Sequence, residues 1–320
     1  MMNTPHKILA SALALSTLVA CGGGGDDNDD EPADQRYTQA DVKNVAASGV
    51  NVLTDLTSVT GLQGVGFLSG FLQGLSGDVG GGTRVLNLNG ACTSGAASAS
   101  VTKAATRTGF AIGDQVTLTF DKCLTSGFLV QGTARLTPRA VVATRAAGEV
   151  DVNFEARATG FSVAFNGMTV LHEGVAEIKA TANSSGVIGY AITVPSGQQW
   201  GVVLSGQATS RTTLGSNTAL LLTQSTTPNT MTKKLDGAIS AGTPQQRQYQ
   251  VNTPTPLSGS VGSSGQFVPT AGQITTNHLA ARLDTSTTVS AGNVTVVGDT
   301  DQNGSLDLSF TTTWTGLTAP

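Results

Sequence analysis

The sequence predicts a mainly β protein: an antiparallel meander forming a curled sheet or barrel-like body, preceded by a short Gly-rich helical segment. Three observations predict it. From residue 84 onward, runs of apolar residues alternate with Thr, Ser or charged residues, the period of strands buried on one face. No segment of helical period interrupts these runs, which excludes parallel βαβ architecture as the main theme. The composition agrees: 12% of the residues are charged, where about 25% is usual, and the 320 residues include 40 Gly and 46 Thr. Other classes fall away. The 17 Lys and Arg against 21 Asp and Glu give no basic excess for nucleic acid. The Gly lack a collagen period, and 39% apolar residues are too many for a wholly disordered chain.

Residues 1–20 read as a lipoprotein signal peptide. His6 and Lys7 precede an apolar run, Ile8 to Ala20, of 13 residues. That is too short for a stable membrane span and suits a signal core. It ends in Leu18-Val19-Ala20-Cys21. Small residues before a Cys at the end of such a core resemble the bacterial lipobox. The resemblance implies cleavage before Cys21, diacylation of its thiol (palmitate chains) and often acylation of the new amine. The alternative is an ordinary secretory signal with an incidental Cys.

Residues 21–36 then form a flexible tether. Gly22 to Gly25 have no side chains to pack, and Asp26, Asp27, Asp29, Asp30, Glu31 and Asp34 keep the stretch solvated. From Gln35 onward the chain is nearly neutral, with 15 acids and 16 bases. Two or three acyl chains attach durably where one is marginal, so the membrane itself is the first expected partner. With Gly22 rather than Asp after the Cys, resemblance to sorting in enteric bacteria favours the outer membrane, on its periplasmic face or at the cell surface.

With Cys21 lipidated, Cys92 and Cys123 remain. In an oxidising periplasm they are expected to pair as a disulfide. A redox or thiolate-metal role has no Cys-x-x-Cys and no nearby His behind it.

Residues 37–79 are expected to be helical. Thr38 can cap a helix, and Val50, Leu53, Leu56, Val59 and Leu62 recur every three residues. Gly66, Gly70 and Gly74, four apart, make a small-residue stripe suited to close packing against the sheet or a partner helix.

The antiparallel β domain is expected over 84–320. Its strands read as Gln115–Phe120, Phe128–Leu136, Glu149–Glu155, Phe161–Phe165, Val175–Ala180, Ile188–Val194, Trp200–Leu204, Asn293–Val297 and Leu306–Trp314. Gly132, Gly174, Gly206 and Gly237 recur between strand-like halves and predict turns or bulges. Thr226 to Pro256, with four Pro, reads as a loop-rich seam. A membrane barrel is disfavoured because the strands read as short for the roughly 9–11 residues a spanning strand needs, and aromatic residues are only 5%.

One motif carries a chemical rationale. Asp299, Asp301, Asn303 and Asp307, with Gly304 at the turn, match the start of an oxygen-rich loop for Ca2+. Position 12 of the EF-hand pattern is Phe310 rather than Glu. The alternative is a β-turn at Asn303-Gly304. His172-Glu173 begins like a zincin motif but lacks the second His, and neighbours in a strand face opposite ways. No Gly-x-Ser-x-Gly elbow and no phosphate loop opening a helix occur.

The lipobox with its Gly run, Val116-Thr117-Leu118-Thr119-Phe120-Asp121-Lys122-Cys123, and the ending Asp299 to Asp307 followed by Trp314 and Leu317 resemble the β-rich outer-envelope lipoproteins of proteobacteria. That group carries no assigned activity, so the resemblance implies location. The expected function is therefore non-enzymatic, a lipid-anchored binding or structural role toward an envelope protein or glycan. The alternative is a glycan-directed envelope hydrolase using paired carboxylates in a β groove.

Overall fold

The computed structural model describes residues 36–77, 81–104, 108–206, 209–242, 245–262 and 266–318. The expected signal peptide, Cys21 and the expected tether up to residue 35 lie outside the described residues. The helices and the sheet belong to one compact unit, Gln35–Pro320.

Two helices open it, α1 (Gln39–Leu56) and α2 (Val59–Leu75). Thr38 caps α1 in a capping box: its hydroxyl accepts from the Asp41 N–H, and the Asp41 carboxylate accepts from the Thr38 N–H at 2.9 Å. Ser58 caps α2 by accepting the Gly61 N–H at 2.9 Å.

Sixteen strands are described after the helices. They are β1 (Gly82–Asn87), β2 (Ser94–Lys103), β3 (Gln115–Thr125), β4 (Phe128–Pro138), β5 (Val150–Phe165), β6 (Met168–Ala182), β7 (Val187–Thr193) and β8 (Trp200–Ser205). The second half comprises β9 (Thr209–Leu214), β10 (Ala219–Thr226), β11 (Asn229–Ala241), β12 (Arg247–Val261), β13 (Phe267–His278), β14 (Leu283–Ser290), β15 (Asn293–Gly298) and β16 (Leu308–Thr312). Among the described residues the strand pairings are all antiparallel and mostly join sequence neighbours, so the chain is a meander. One fork breaks the order. The C-terminal half of β6 pairs with β7, which pairs with β10, while its N-terminal half pairs with β8. The hairpin β8–β9 then rejoins the sheet at the end of β11.

Helix packing requires the sheet to curl. Helix α2 packs on β5, β6 and β8, α1 packs on β11, β13, β14 and β15, and the two helices touch each other. Packed helices lie about 8–10 Å apart. Eight strand spacings separate β5 from β15, roughly 38 Å if flat. Only a sheet wrapped around the helix pair meets both conditions. The core is the space between them, filled from α1 by Val42, Val50 and Leu53, from α2 by Val65, Leu68 and Leu72, and from the sheet by Phe154, Ile178, Leu214, Leu235 and Ile274.

Several strand expectations are corrected. Glu149–Glu155 and Phe161–Phe165 are two parts of one strand, β5. A bulge near Gly160 shifts the alternation by one residue, so the period loses phase in the middle. The Gly132 position meets this bulge: at φ +97°, any Cβ there would lie 2.0 Å from the Gly160 carbonyl oxygen. Gly174 and Gly237 also have positive φ, at the β6 fork and at a register shift between β11 and β12.

Thr226–Pro256 is not a loop-rich seam but holds β11 and much of β12. Pro254 and Pro256 stand where the β12–β13 register shifts, and so avoid a ladder that needs their missing N–H. Side chains fill the gap toward β11. Thr253 Oγ1 accepts the Leu235 N–H at 2.8 Å, and Asp236 accepts the Thr253 N–H at 2.8 Å. At the C-terminus, Trp314 does not end a strand: β16 stops at Thr312, and Trp314–Thr318 is a short helix, α3, packed on α1 with Trp314 and Leu317 buried.

The short-strand argument against a membrane barrel also fails, since β5 and β6 have 16 and 15 residues. The outward faces speak instead. Arg135 and Arg157 stand exposed near mid-strand on β4 and β5, where each charge in a lipid-facing band would cost about 2–4 kcal/mol. Strands β1 and β16 are the two ends of the sheet path and do not pair with each other among the described residues.

Candidate functional site

Register places the inward residues of β7, β10 and β11 in three rows: Ile192–Leu220–Leu235, Tyr190–Leu222–Lys233 and Ile188–Gln224–Met231. The first row is buried under the helices. Tyr190 and Leu222 of the second row and all three residues of the third border a cleft of about 280 Å³ that Leu62 and Gly66 of α2 close from the opposite side. Its volume sits near the lower end for small-molecule sites, roughly 300–1,000 Å³. The lining is mainly hydrocarbon, with polar edges at Thr57, Gln63, Gln224 and the Tyr190 hydroxyl.

Gly66 makes room for Tyr190: a Cβ there would stand 3.0 Å from Tyr190 Oη. Burial pushes the Tyr190 phenol above its ordinary pKa, favouring the neutral hydroxyl. The remainder of the expected glycine stripe is not a close-packing seam, because a Cβ added at Gly70 or Gly74 would stand in open space.

Lys233 ends the middle row, on the same face as Met231 and Leu235 and opposite Leu222. It is 3% exposed, with its Nζ 4.4 Å from the centre of the Phe267 ring. Burial pushes its pKa down to about 8, and the negative charge of Asp55 on α1 opposes that shift. Asp55 itself is raised, mainly by burial, against a hydrogen bond from Ser210 Oγ at 3.2 Å and the charge of Lys233. Among the described residues no acceptor lies within hydrogen-bond distance of Lys233 Nζ, and no carboxylate lies within ion-pair distance. The sequence carried a signal for this residue, a Lys at an apolar position of the alternation Met231-Thr232-Lys233-Lys234-Leu235. Buried charge of this kind is the informative exception to inside-apolar patterning.

His172 is also inward. It is fully buried on β6, with Phe161 and Trp200 rings at 6.4 and 5.4 Å, and Gly64 of α2 lies over it. A Cβ at Gly64 would stand 2.3 Å from the imidazole. Among the described residues neither ring nitrogen has a hydrogen-bond partner, and burial pushes the pKa down to about 4. The neighbouring Glu173 faces the other side of the sheet, beside Arg211.

Asp299, Asp301, Asn303 and Asp307 occupy the loop from β15 to β16. Asp299 accepts the N–H groups of Asn303 at 3.2 Å and Gly304 at 2.7 Å. Asp301 accepts the Asn303 side-chain amide at 3.0 Å, and Asn303 Oδ1 accepts the Ser305 N–H at 2.7 Å. Asp307 accepts the Thr300 N–H at 2.8 Å and hydroxyl at 2.6 Å, bonds that hold its acid below the ordinary carboxylate range. Gly304, at φ +84°, makes the turn. Among the described residues no group of three His, Cys, Asp or Glu is placed to hold a metal. Calcium here remains a proposal, tested by melting the domain with calcium and with chelator. A higher midpoint in calcium than in chelator is the expected result, and coincident curves would remove the ion.

Cys92 and Cys123 are joined as a disulfide, with Cα atoms 5.2 Å apart. The carboxylates that face each other most directly are Glu155 and Glu177, opposite in register on β5 and β6. Arg139 bridges both, and Arg157 Nε lies 2.7 Å from Glu155.

Comparison with known proteins finds no matching family model, no matching curated protein and no matching solved structure.

Proposed function

We propose that the chain is a lipid-anchored, non-enzymatic binding protein of the outer envelope. The observation that supports binding is the apolar cleft between α2 and β7, β10 and β11, with polar groups only at its margin. The leader ending at Cys21 and the Gly and acidic residues after it support the anchor. The disulfide fits an oxidising compartment. A carboxylate-pair hydrolase draws less support, because Glu155 and Glu177 are bound to guanidinium groups on the outward side of the sheet rather than opposed in a groove.

The anchor is tested by fractionating cells that express the wild-type chain and Cys21→Ser. The wild type is expected with the outer membrane and the variant in the soluble periplasmic fraction. A Cys21→Ser protein that still sediments with membranes overturns the anchor.

A further inference from the structure

One end of the sheet is apolar, and the chain from Cys21 arrives at that end. Among the described residues, three two-residue hairpin turns have positive φ at both positions: Ser126-Gly127 between β3 and β4, Asn166-Gly167 between β5 and β6, and Ala291-Gly292 between β14 and β15. Ser290 and Asn293 flank the last, as suits a turn in water. Phe165 and Met168 flank Asn166-Gly167, and Phe128 and Leu129 follow Ser126-Gly127. Leu129, Phe165 and Met168 are each at least 36% exposed, and the half-buried Phe128 ring lies 4.8 Å from that of Phe165. Adjacent hairpins therefore join their tips in one apolar patch, where single scattered residues would need no explanation.

Charge is missing from the same end. Residues 123–134, 158–171 and 200–210, which include the tips of β4, β5, β6 and β8, have no Asp, Glu, Lys or Arg. Asp121 and Lys122 of β3 stand at the border. On β6 the first charged residue after the tip is Glu173, about 17 Å along the strand from Met168. The register carries this end across to α1. Pairing from β6 through β8, β9, β11, β12, β13, β14 and β15 puts His278 and Gly298 at the same end as Met168. Tyr37, just before α1, donates its N–H to the Thr300 carbonyl at 2.9 Å and its hydroxyl to the Ala281 carbonyl, in the loops that follow those strand ends. Cys21 stands 15 residues before Arg36, at most about 50 Å of chain.

We infer that this end of the sheet rests on the lipid bilayer that holds Cys21, with Phe128, Leu129, Phe165 and Met168 in the interface. This names the face that meets the membrane and rests on the anchor proposed above. Insertion by about 5–10 Å stays within the uncharged band and leaves Arg135 and Arg157 in water. Four side chains add to the acyl chains without replacing them, so Cys21→Ser is still expected in the soluble fraction.

The test uses the acylated mature chain in phosphatidylcholine vesicles. With Cys21 acylated and Cys92 bonded to Cys123, a thiol introduced by Asn166→Cys or Ala291→Cys takes an environment-sensitive fluorophore. The two turns match in backbone geometry, so position 291 is the control. The label at 166 is expected to shift to the blue on vesicles and to lose emission to spin-labelled lipid, and the label at 291 to do neither. Should Asn166→Cys fail to fold, Ser126→Cys carries the same expectation. Leu129→Asp combined with Met168→Asp is expected to return the label at 166 to its emission in water while the protein still floats with the vesicles. A label that stays in lipid in that double variant overturns the role of these side chains. A protein that floats with both labels in water overturns the docking face alone, whereas one that does not float overturns the anchor and this inference with it. A blue shift at 166 that grows with protein concentration in the Cys21→Ser form, without vesicles, gives the face to a second copy of the chain and overturns the lipid assignment.

Discussion

Removing the Cys92–Cys123 bridge, by replacing both cysteines with Ser or by reduction, lowers stability by about 3–4 kcal/mol. The bond closes a loop with a sequence separation of 31, and in the chain-entropy model that much loop closure in the unfolded chain has this size. For a unit of this length the melting midpoint falls by about 6 °C. The location sharpens the expectation. Among the described residues strand β1 is an edge that pairs only with β2. The start of β2 meets the end of β3 at a register shift, where Thr93 donates to the Leu124 carbonyl at 2.6 Å. The bridge holds the chain at this irregular point. Hydrogen exchange in β1 and β2 should therefore rise first on reduction, ahead of β5 and β6. Uniform acceleration across the sheet, or an unchanged midpoint, would show that the bridge contributes no such constraint.

The second large effect is acid sensitivity from His172. In the folded chain burial holds the imidazole neutral down to a pKa of about 4, against the ordinary 6.5 of an unfolded His. The unfolded chain therefore binds the proton first. The stability tied to the neutral ring is fully present above pH 6.5 and is lost as pH falls toward 4, by about 3 kcal/mol. Phe161, Trp200 and Gly64 are its neighbours, and among the described residues neither nitrogen has a hydrogen-bond partner to stabilise a cation. His172→Leu should melt with a flatter pH dependence between 6.5 and 4, measured as the difference from wild type so that carboxylate titrations cancel. Parallel curves for the two proteins would show that the imidazole is not the group responsible.

Local chemistry was legible without the structure. The cap at Thr38, the positive-φ glycines at 132, 174 and 237 beside breaks in strand register, and the Asn303-Gly304 turn are all set by short-range sterics and hydrogen bonding. So was the class, because alternation along a strand reports which face is wet. Longer elements were legible only in pieces. The bulge in β5 inverts the phase of the alternation, and the Pro residues in β12 mimic a loop while standing at breaks in the ladder. The candidate site was hidden for a different reason. Its walls come from α2, β7, β10 and β11, and β7 meets β10 only because the β8–β9 hairpin folds out of the way.

By itself, then, the sequence determined a β-rich antiparallel body behind a capped helical segment, and a cysteine pair within it. These follow from neighbours within a few residues of one another, where periodicity and side-chain chemistry act directly. Only the tertiary structure decided that the sheet wraps the helices, that Lys233 and His172 lose water, and that an apolar cleft opens beside one of them. Those outcomes depend on which distant strands become adjacent, and burial is a property of the assembled layers rather than of any segment within them.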